Sequence, residues 1–278
     1  MKDLYHYTDI QGVLGILKFR KLWLSSVNNM NDHQEIIWLK SKLKAEIDKV
    51  VRVGNYSDSY IDIFRTFVTI LEHSTSTPYI CCFSKNHDLL SQWRAYAHDG
   101  VGANIGFSID KLNVSNELPY MSAVKEQALG YSEVTYNEGL SNIFVTNLVD
   151  VLLKLCEESK LENGKPVWHP AMSELATTCL RSAQAFKNPA FSEEQEVRII
   201  HTPYSDKSNN WHGNVSDIQF RVVNDSITSY FELEFPHDAV TSITLGPKSK
   251  CSEAELELFL KSNGYENVVV RNSSASYR

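Results

Sequence analysis

Three short segments hold the residue types that could do chemistry. Tyr5-His6-Tyr7-Thr8 sets an imidazole between two phenols. Ser91-Gln92-Trp93-Arg94-Ala95-Tyr96 offers a hydroxyl, two aromatic faces and a guanidinium, groups that can stack a flat ring and hold its substituents. Glu194-Gln195-Glu196-Val197-Arg198 alternates charged with neutral side chains, so on a strand Glu194, Glu196 and Arg198 share one face. Neighbouring carboxylates repel. Keeping both implies either compensation by Arg198 or a site that uses negative charge against a developing cation. Each segment also has a structural reading. His6 could fix a corner of the fold, the aromatic cluster could cap a core, and the charged alternation could be a solvated strand face.

The surrounding pattern says what must position these groups. Residues 4–7 read as a strand, and Thr8-Asp9-Ile10-Gln11 as a capping box opening a helix with Val13, Leu14 and Leu17 on its apolar side. Residues 22–26 read as a second strand. Asn28 to Asp32 is turn-like, and Asp32 with Glu35 resembles a capping box for a helix to about Val50. A further helix is expected over about 58–71. Residues 79–83 and 103–107 are apolar runs suited to buried strands, which places the Ser91–Tyr96 cluster in a connection between strands. After a strand at 131–136, helices are expected over about 143–161 and 172–186. The rest is β-rich, with strands at 197–201, 218–222, 230–235, 240–245 and 268–270 and one helix over 253–260. No internal repeat or long linker interrupts this order. The expected architecture is a single α+β domain over 1–278, with helical insertions at about 32–73 and 140–187.

Composition removes several function classes. The formal net charge of −7 over 278 residues argues against charge-driven nucleic-acid binding, although a local basic groove can survive on an acidic protein. Five cysteines without C-x-x-C spacing suggest neither a disulfide framework nor a zinc ribbon. No signal-peptide pattern and no apolar run of membrane-spanning length are found, so a cytoplasmic location without membrane association is expected. Gly100-Val101-Gly102 with Gly106 has the wrong spacing for a dinucleotide loop and precedes a strand. Phosphate-loop, H-E-x-x-H and G-x-S-x-G motifs are missing, and the histidines lack metal-ligand spacing.

Taken with Leu22-Trp23-Leu24-Ser25-Ser26, Asn31-Asp32, Cys82-Phe83-Ser84, Phe191-Ser192-Glu193 and Leu245-Gly246-Pro247, the three segments resemble the bacterial family of domain of unknown function 2971 across nearly the whole chain. That family in turn resembles a remote branch of the ADP-ribosyltransferases, which implies a split β-sheet core with helical insertions. The resemblance implies NAD as co-substrate, no metal, and transfer of ADP-ribose to a macromolecular acceptor, nucleic acid or protein. It further implies a toxin or anti-phage defence role and an inhibitory antitoxin as a partner. By the same resemblance His6 would hold the adenosine ribose, the Tyr7 backbone the nicotinamide amide, and Tyr96 the nicotinamide ring, with Trp93 or Tyr7 as alternatives. Ser91 and Arg94 would complete the NAD-binding set, although Arg198 or Arg20 could equally hold the pyrophosphate. Glu196 would stabilise the oxocarbenium-like transition state and Glu194 would orient the acceptor. An NAD glycohydrolase and a non-catalytic nucleotide- or partner-binding module are the alternatives.

Overall fold

The computed structural model describes residues 3–27, 33–54, 56–73, 78–159, 161–162, 165–223 and 225–275. In chain order the elements are β1 (Asp3–Thr8), α1 (Ile10–Phe19), β2 (Lys21–Ser26), α2 (His33–Val53), α3 (Asp58–Glu72), β3 (Tyr79–Ser84), α4 (Leu90–Tyr96), β4 (Ala103–Ser108), α5 (Lys125–Ala128) and β5 (Leu129–Glu133). They continue as α6 (Glu138–Glu158), β6 (Leu161–Glu162), β7 (Lys165–Pro166), α7 (Pro170–Ala183), β8 (Glu196–His201), β9 (Tyr204–Ser205), β10 (Trp211–His212), β11 (Gln219–Val223), β12 (Ser226–Glu234), β13 (Val240–Leu245), α8 (Glu253–Ser262) and β14 (Val269–Asn272). The protein is mixed α+β with a large, mostly antiparallel sheet. Its contacts divide it into two units, one of residues 1–26, 78–133 and 193–278, the other of 27–77 and 134–192.

The first unit is built on a ten-stranded sheet ordered β11-β12-β2-β3-β1-β4-β13-β14, with β8 paired to β3 and β5 paired to β8. Only β13 and β14 pair in parallel. Because β8 runs the length of β3, from Tyr79↔His201 to Ser84↔Glu196, it fills one edge of that strand. On the other edge β2 pairs at Ser25↔Ile80 and β1 pairs at Tyr5↔Ser84. Two strands therefore share one edge of β3 and part between those levels. Directly opposed residues point to the same face of a sheet, so the register sorts the side chains. Leu4, Cys81, Phe83, Ile105, Phe107, Val197, Ile199 and Phe231 line the apolar core face. Tyr5, Tyr7, Ser84, Asn104, Glu196 and Arg198 belong to the other.

Helix α1 buries Val13 and Leu17, four residues apart, and its N-cap is Asp9, whose carboxylate accepts from the Gly12 N–H at 2.6 Å. The expected cap at Thr8 is thus displaced by one residue. The second unit holds α2, α3, α6 and α7, whose apolar sides form a separate core around Leu39, Phe64, Phe67, Leu148, Leu152 and Met172. The helical insertions expected at 32–73 and 140–187 fall within this unit. By length and composition α6 could cross a membrane, yet Val145, Leu148, Val149, Leu152, Leu155 and Cys156 are buried in the helical core. The turn at 28–32 and the capping box at Asp32 and Glu35 lie outside the residues whose side chains are described.

One expectation about the chemical segments is refined and one changes. The connection between strands that holds the Ser91–Tyr96 cluster is itself a short helix over residues 90–96. Glu194 ends a 3-10 turn over Pro189–Glu194, and Gln195 takes a left-handed φ of 46° before the strand starts at Glu196. Glu194 therefore does not continue the strand face of Glu196 and Arg198, because a left-handed residue breaks the two-residue alternation.

Candidate functional site

A side chain sits at the level where β1 and β2 part along β3. His6 Nδ1 lies 2.9 Å from the Cys82 carbonyl oxygen, midway between the levels at which β2 and β1 pair with β3. A carbonyl can only accept, so Nδ1 carries the proton and Nε2 is the remaining imidazole position. The ring packs 5.6 Å from Phe83 and opposite Ile105, on the core face. Burial lowers the His6 pKa, partly countered by the bond to Cys82, and it pushes the neighbouring Cys81 thiol up to about 12. This histidine is neutral at pH 7, and the thiol beside it is not a nucleophile.

Glu196 and Arg198 sit two residues apart on the opposite face of β8, 5% and 1% exposed. The pair is bidentate, with Arg198 Nε donating to Glu196 Oε1 at 2.7 Å and Nη2 to Oε2 at 2.9 Å. Ser84, opposite Glu196, donates its hydroxyl to the Glu194 carbonyl at 2.8 Å and accepts from the Asn86 N–H at 3.1 Å. The Lys85 N–H reaches the Gln195 carbonyl at 3.1 Å. These bonds fix the bend that separates Glu194 from Glu196.

A third group forms around Tyr7, on the same face of the sheet as Glu196. Tyr7 is buried, with its hydroxyl donating to the Asn86 carbonyl at 2.8 Å and accepting from the Leu89 N–H at 3.1 Å. Burial raises its pKa well above the usual 10. Trp93 meets it edge-on at 4.6 Å, fully buried, and donates its indole N–H to Asp88 Oδ1 at 2.7 Å. Asp88 also accepts from the hydroxyls of Ser273 and Ser274 and from the Ser274 N–H. Ala275 packs against this cluster. Asp88 thus closes a clasp between the loop after β3 and the stretch after β14, and sequence reading missed it. Its signal was only an Asn-His-Asp turn, with partners some 185 residues away.

The structure brings the expected residues together in part. Tyr7 and Trp93 touch each other, and Glu196 shares their face of the sheet. His6 projects to the other face. Trp93 is walled in and has no open face for a ligand ring, so its position fixes α4. On that helix Arg94 is exposed, Tyr96 is 38% exposed, and the partly buried Ser91 keeps a hydroxyl without a hydrogen-bond partner. Among the described residues no cluster of His, Cys, Asp or Glu could hold a metal ion.

Comparison with known families gives one result. Residues 92–199 match the DUF2971 family model. The family model, described as a protein of unknown function, covers Trp93, Arg94, Tyr96, Glu194, Glu196 and Arg198. It does not extend to the Tyr5–Thr8 segment, so the resemblance across nearly the whole chain is matched by the family over this central stretch alone. The DUF2971 description assigns no activity. No curated protein and no solved structure matches the chain.

Proposed function

We propose that the protein is an NAD-dependent ADP-ribosyltransferase that modifies an intracellular macromolecule, serving as a bacterial toxin or anti-phage effector. The observation that carries this reading is the parting of β1 and β2 along one edge of β3, with Glu196 on the strand that fills the other edge. A sheet that splits beside a fixed carboxylate is what the transferase resemblance leads one to expect.

In this reading the bond between the ribose C1′ and the nicotinamide nitrogen breaks, and its electron pair neutralises the departing ring. The sugar is left with oxocarbenium character. Glu196, held by Arg198 in a nearly dry setting, accepts from the ribose 2′-hydroxyl and stabilises that charge without reorganising. Tyr96 supplies the exposed ring for nicotinamide and Arg94 a cation for the pyrophosphate. The Tyr7 backbone holds the amide. His6 lies on the core face, across the sheet from Glu196, so the expected hold on the adenosine ribose is left out of this reading. The acceptor attacks C1′, and its proton passes to water. Glu194 lies outside the strand face, so its role in orienting the acceptor depends on the turn that carries it.

A second reading, a non-catalytic nucleotide- or partner-binding module, draws on the same ion pair, because Arg198 engages both carboxylate oxygens of Glu196. One experiment separates the readings. The protein is incubated with NAD labelled on the adenosine side and with cell lysate, nicotinamide release is followed, and the product is digested with nuclease or with protease. Labelled macromolecule indicates transfer, free ADP-ribose alone a glycohydrolase, and no nicotinamide release the binding module.

A further inference from the structure

On the same face as Glu196 but toward the β11 end of the sheet, β2, β12 and β11 present a group of side chains that the reading above leaves unused. The guanidinium carbon of Arg221 lies 4.9 Å from the centre of the Trp23 ring and 5.7 Å from that of Tyr230. The two rings are 4.6 Å apart and tilted by 37°. Arg221 Nη2 donates to Ser25 Oγ at 2.8 Å, which holds the guanidinium beside the aromatics. Two polar groups are left over. Arg221 Nε and the hydroxyl of Thr228 are buried without hydrogen-bond partners, and the two residues are directly opposed in the register. Thr228 is 3% exposed, whereas Trp23 is 44% exposed. The carboxylate beside this group, Glu232, is engaged by Lys21 at 2.6 Å.

An exposed indole with a guanidinium beside it suits a flat ring and a nearby anion. A nucleobase with its phosphate has both. We propose that this shelf binds single-stranded nucleic acid, taking an unstacked base on Trp23 and a phosphate at Arg221. It rests on the proposed transferase only in making nucleic acid the acceptor; the binding itself stands independently. The net charge of −7 fits a site of this kind better than a diffuse one. A site built on one stacked base and one guanidinium neutralises few phosphates, so the salt dependence is shallow.

The test is fluorescence anisotropy of fluorescein-labelled 12-nucleotide single-stranded RNA and DNA, with a duplex of the same sequence for comparison, in the absence of NAD. Single strands should bind and the duplex should bind more weakly. Log affinity should fall against log salt with a slope of about one or less. Trp23→Ala should weaken binding by roughly tenfold or more, in line with loss of one stacked base. Arg221→Lys, which keeps the charge and loses the plane, should weaken it as well, and it serves if the tryptophan variant does not fold. Wild-type protein that fails to bind single strands at low salt overturns the shelf, as does equal binding by folded Trp23→Ala. Label transferred from NAD only to protein in lysate overturns its acceptor role. Failure of NAD cleavage with oligonucleotide binding intact would instead sink the transferase reading.

Discussion

Arg198 grips both oxygens of Glu196 where little solvent reaches, so one substitution there acts on stability and on chemistry together. Glu196→Gln removes the charge that balances a buried guanidinium, and unfolding by denaturant should show a loss on the order of 3 kcal/mol. NAD consumption by the folded fraction should fall about a hundredfold. Turnover equal to wild type per folded molecule would remove Glu196 from the chemistry. Asp88 is the other informative residue. Burial works to raise its pKa, and the hydrogen bonds from Ser273, Trp93 and Ser274 outweigh that and bring it below 3.8. A depressed carboxylate gives stability that is present above the unfolded value and lost as pH falls below it. Asp88→Asn should cost on the order of 2 kcal/mol and speed hydrogen exchange at the Ser274 amide. Unchanged exchange would mean the clasp holds without that charge. The ion pair was open to inspection in the spacing of Glu196 and Arg198. The bend at Gln195 was hidden, because a single left-handed residue leaves no periodic trace.

Elements with a strong apolar pattern were legible. The run at 240–245 is β13 to the residue, and 79–83 and 103–107 fall one residue short of β3 and β4. Helix α4 escaped because seven residues make too few turns to show a period, and β6, β7, β9 and β10, two residues each, show none. The glycines once set aside as a failed dinucleotide loop have a positional reason. A Cβ on Gly102 would sit 2.2 Å from the Thr8 carbonyl oxygen and 3.0 Å from that of Ala97. Gly102→Ala must push β1 away from the turn after α4, and a destabilisation of roughly 2 kcal/mol or more is expected in thermal unfolding. Strand β8 adds a pH dependence. Fully buried His201 bonds through Nδ1 to the Ala128 carbonyl, its Nε2 has no partner, and burial lowers its pKa from 6.5 to about 4. Between those values the unfolded chain binds the proton and the folded one does not, so stability falls as pH falls. The slope is about 1.4 kcal/mol per pH unit, for a total of roughly 3 kcal/mol. His6, also lowered, acts in the same sense. Denaturant midpoints at pH 7.5 and 5 should differ for wild type and less for His201→Asn. A wild-type midpoint that does not move would refute the assignment.

Across the whole molecule, pairing joins residues far apart in the chain. β1 lies between β3 and β4, Asp3 receives the hydroxyl of Thr241, and Tyr265 donates to the Leu17 carbonyl. Such distances are why the face on which each residue lies could not be read from local pattern: His6 and Glu196 are each plausible site residues alone, and only the register assigns them to opposite sides of the sheet. Contacts this remote also predict slow folding, which stopped-flow refolding would record on the scale of milliseconds to seconds. The Asp88 clasp carries that point into the cell. Trp93 and Tyr7 leave the ribosome early, yet Ser273, Ser274 and Ala275, which complete their surroundings, are translated some 180 residues after Trp93. The order of synthesis therefore acts as a timer. A nascent chain holds Tyr7, Trp93 and the helix bearing Tyr96 without the contacts from Ser273, Ser274 and Ala275 until those residues have been made.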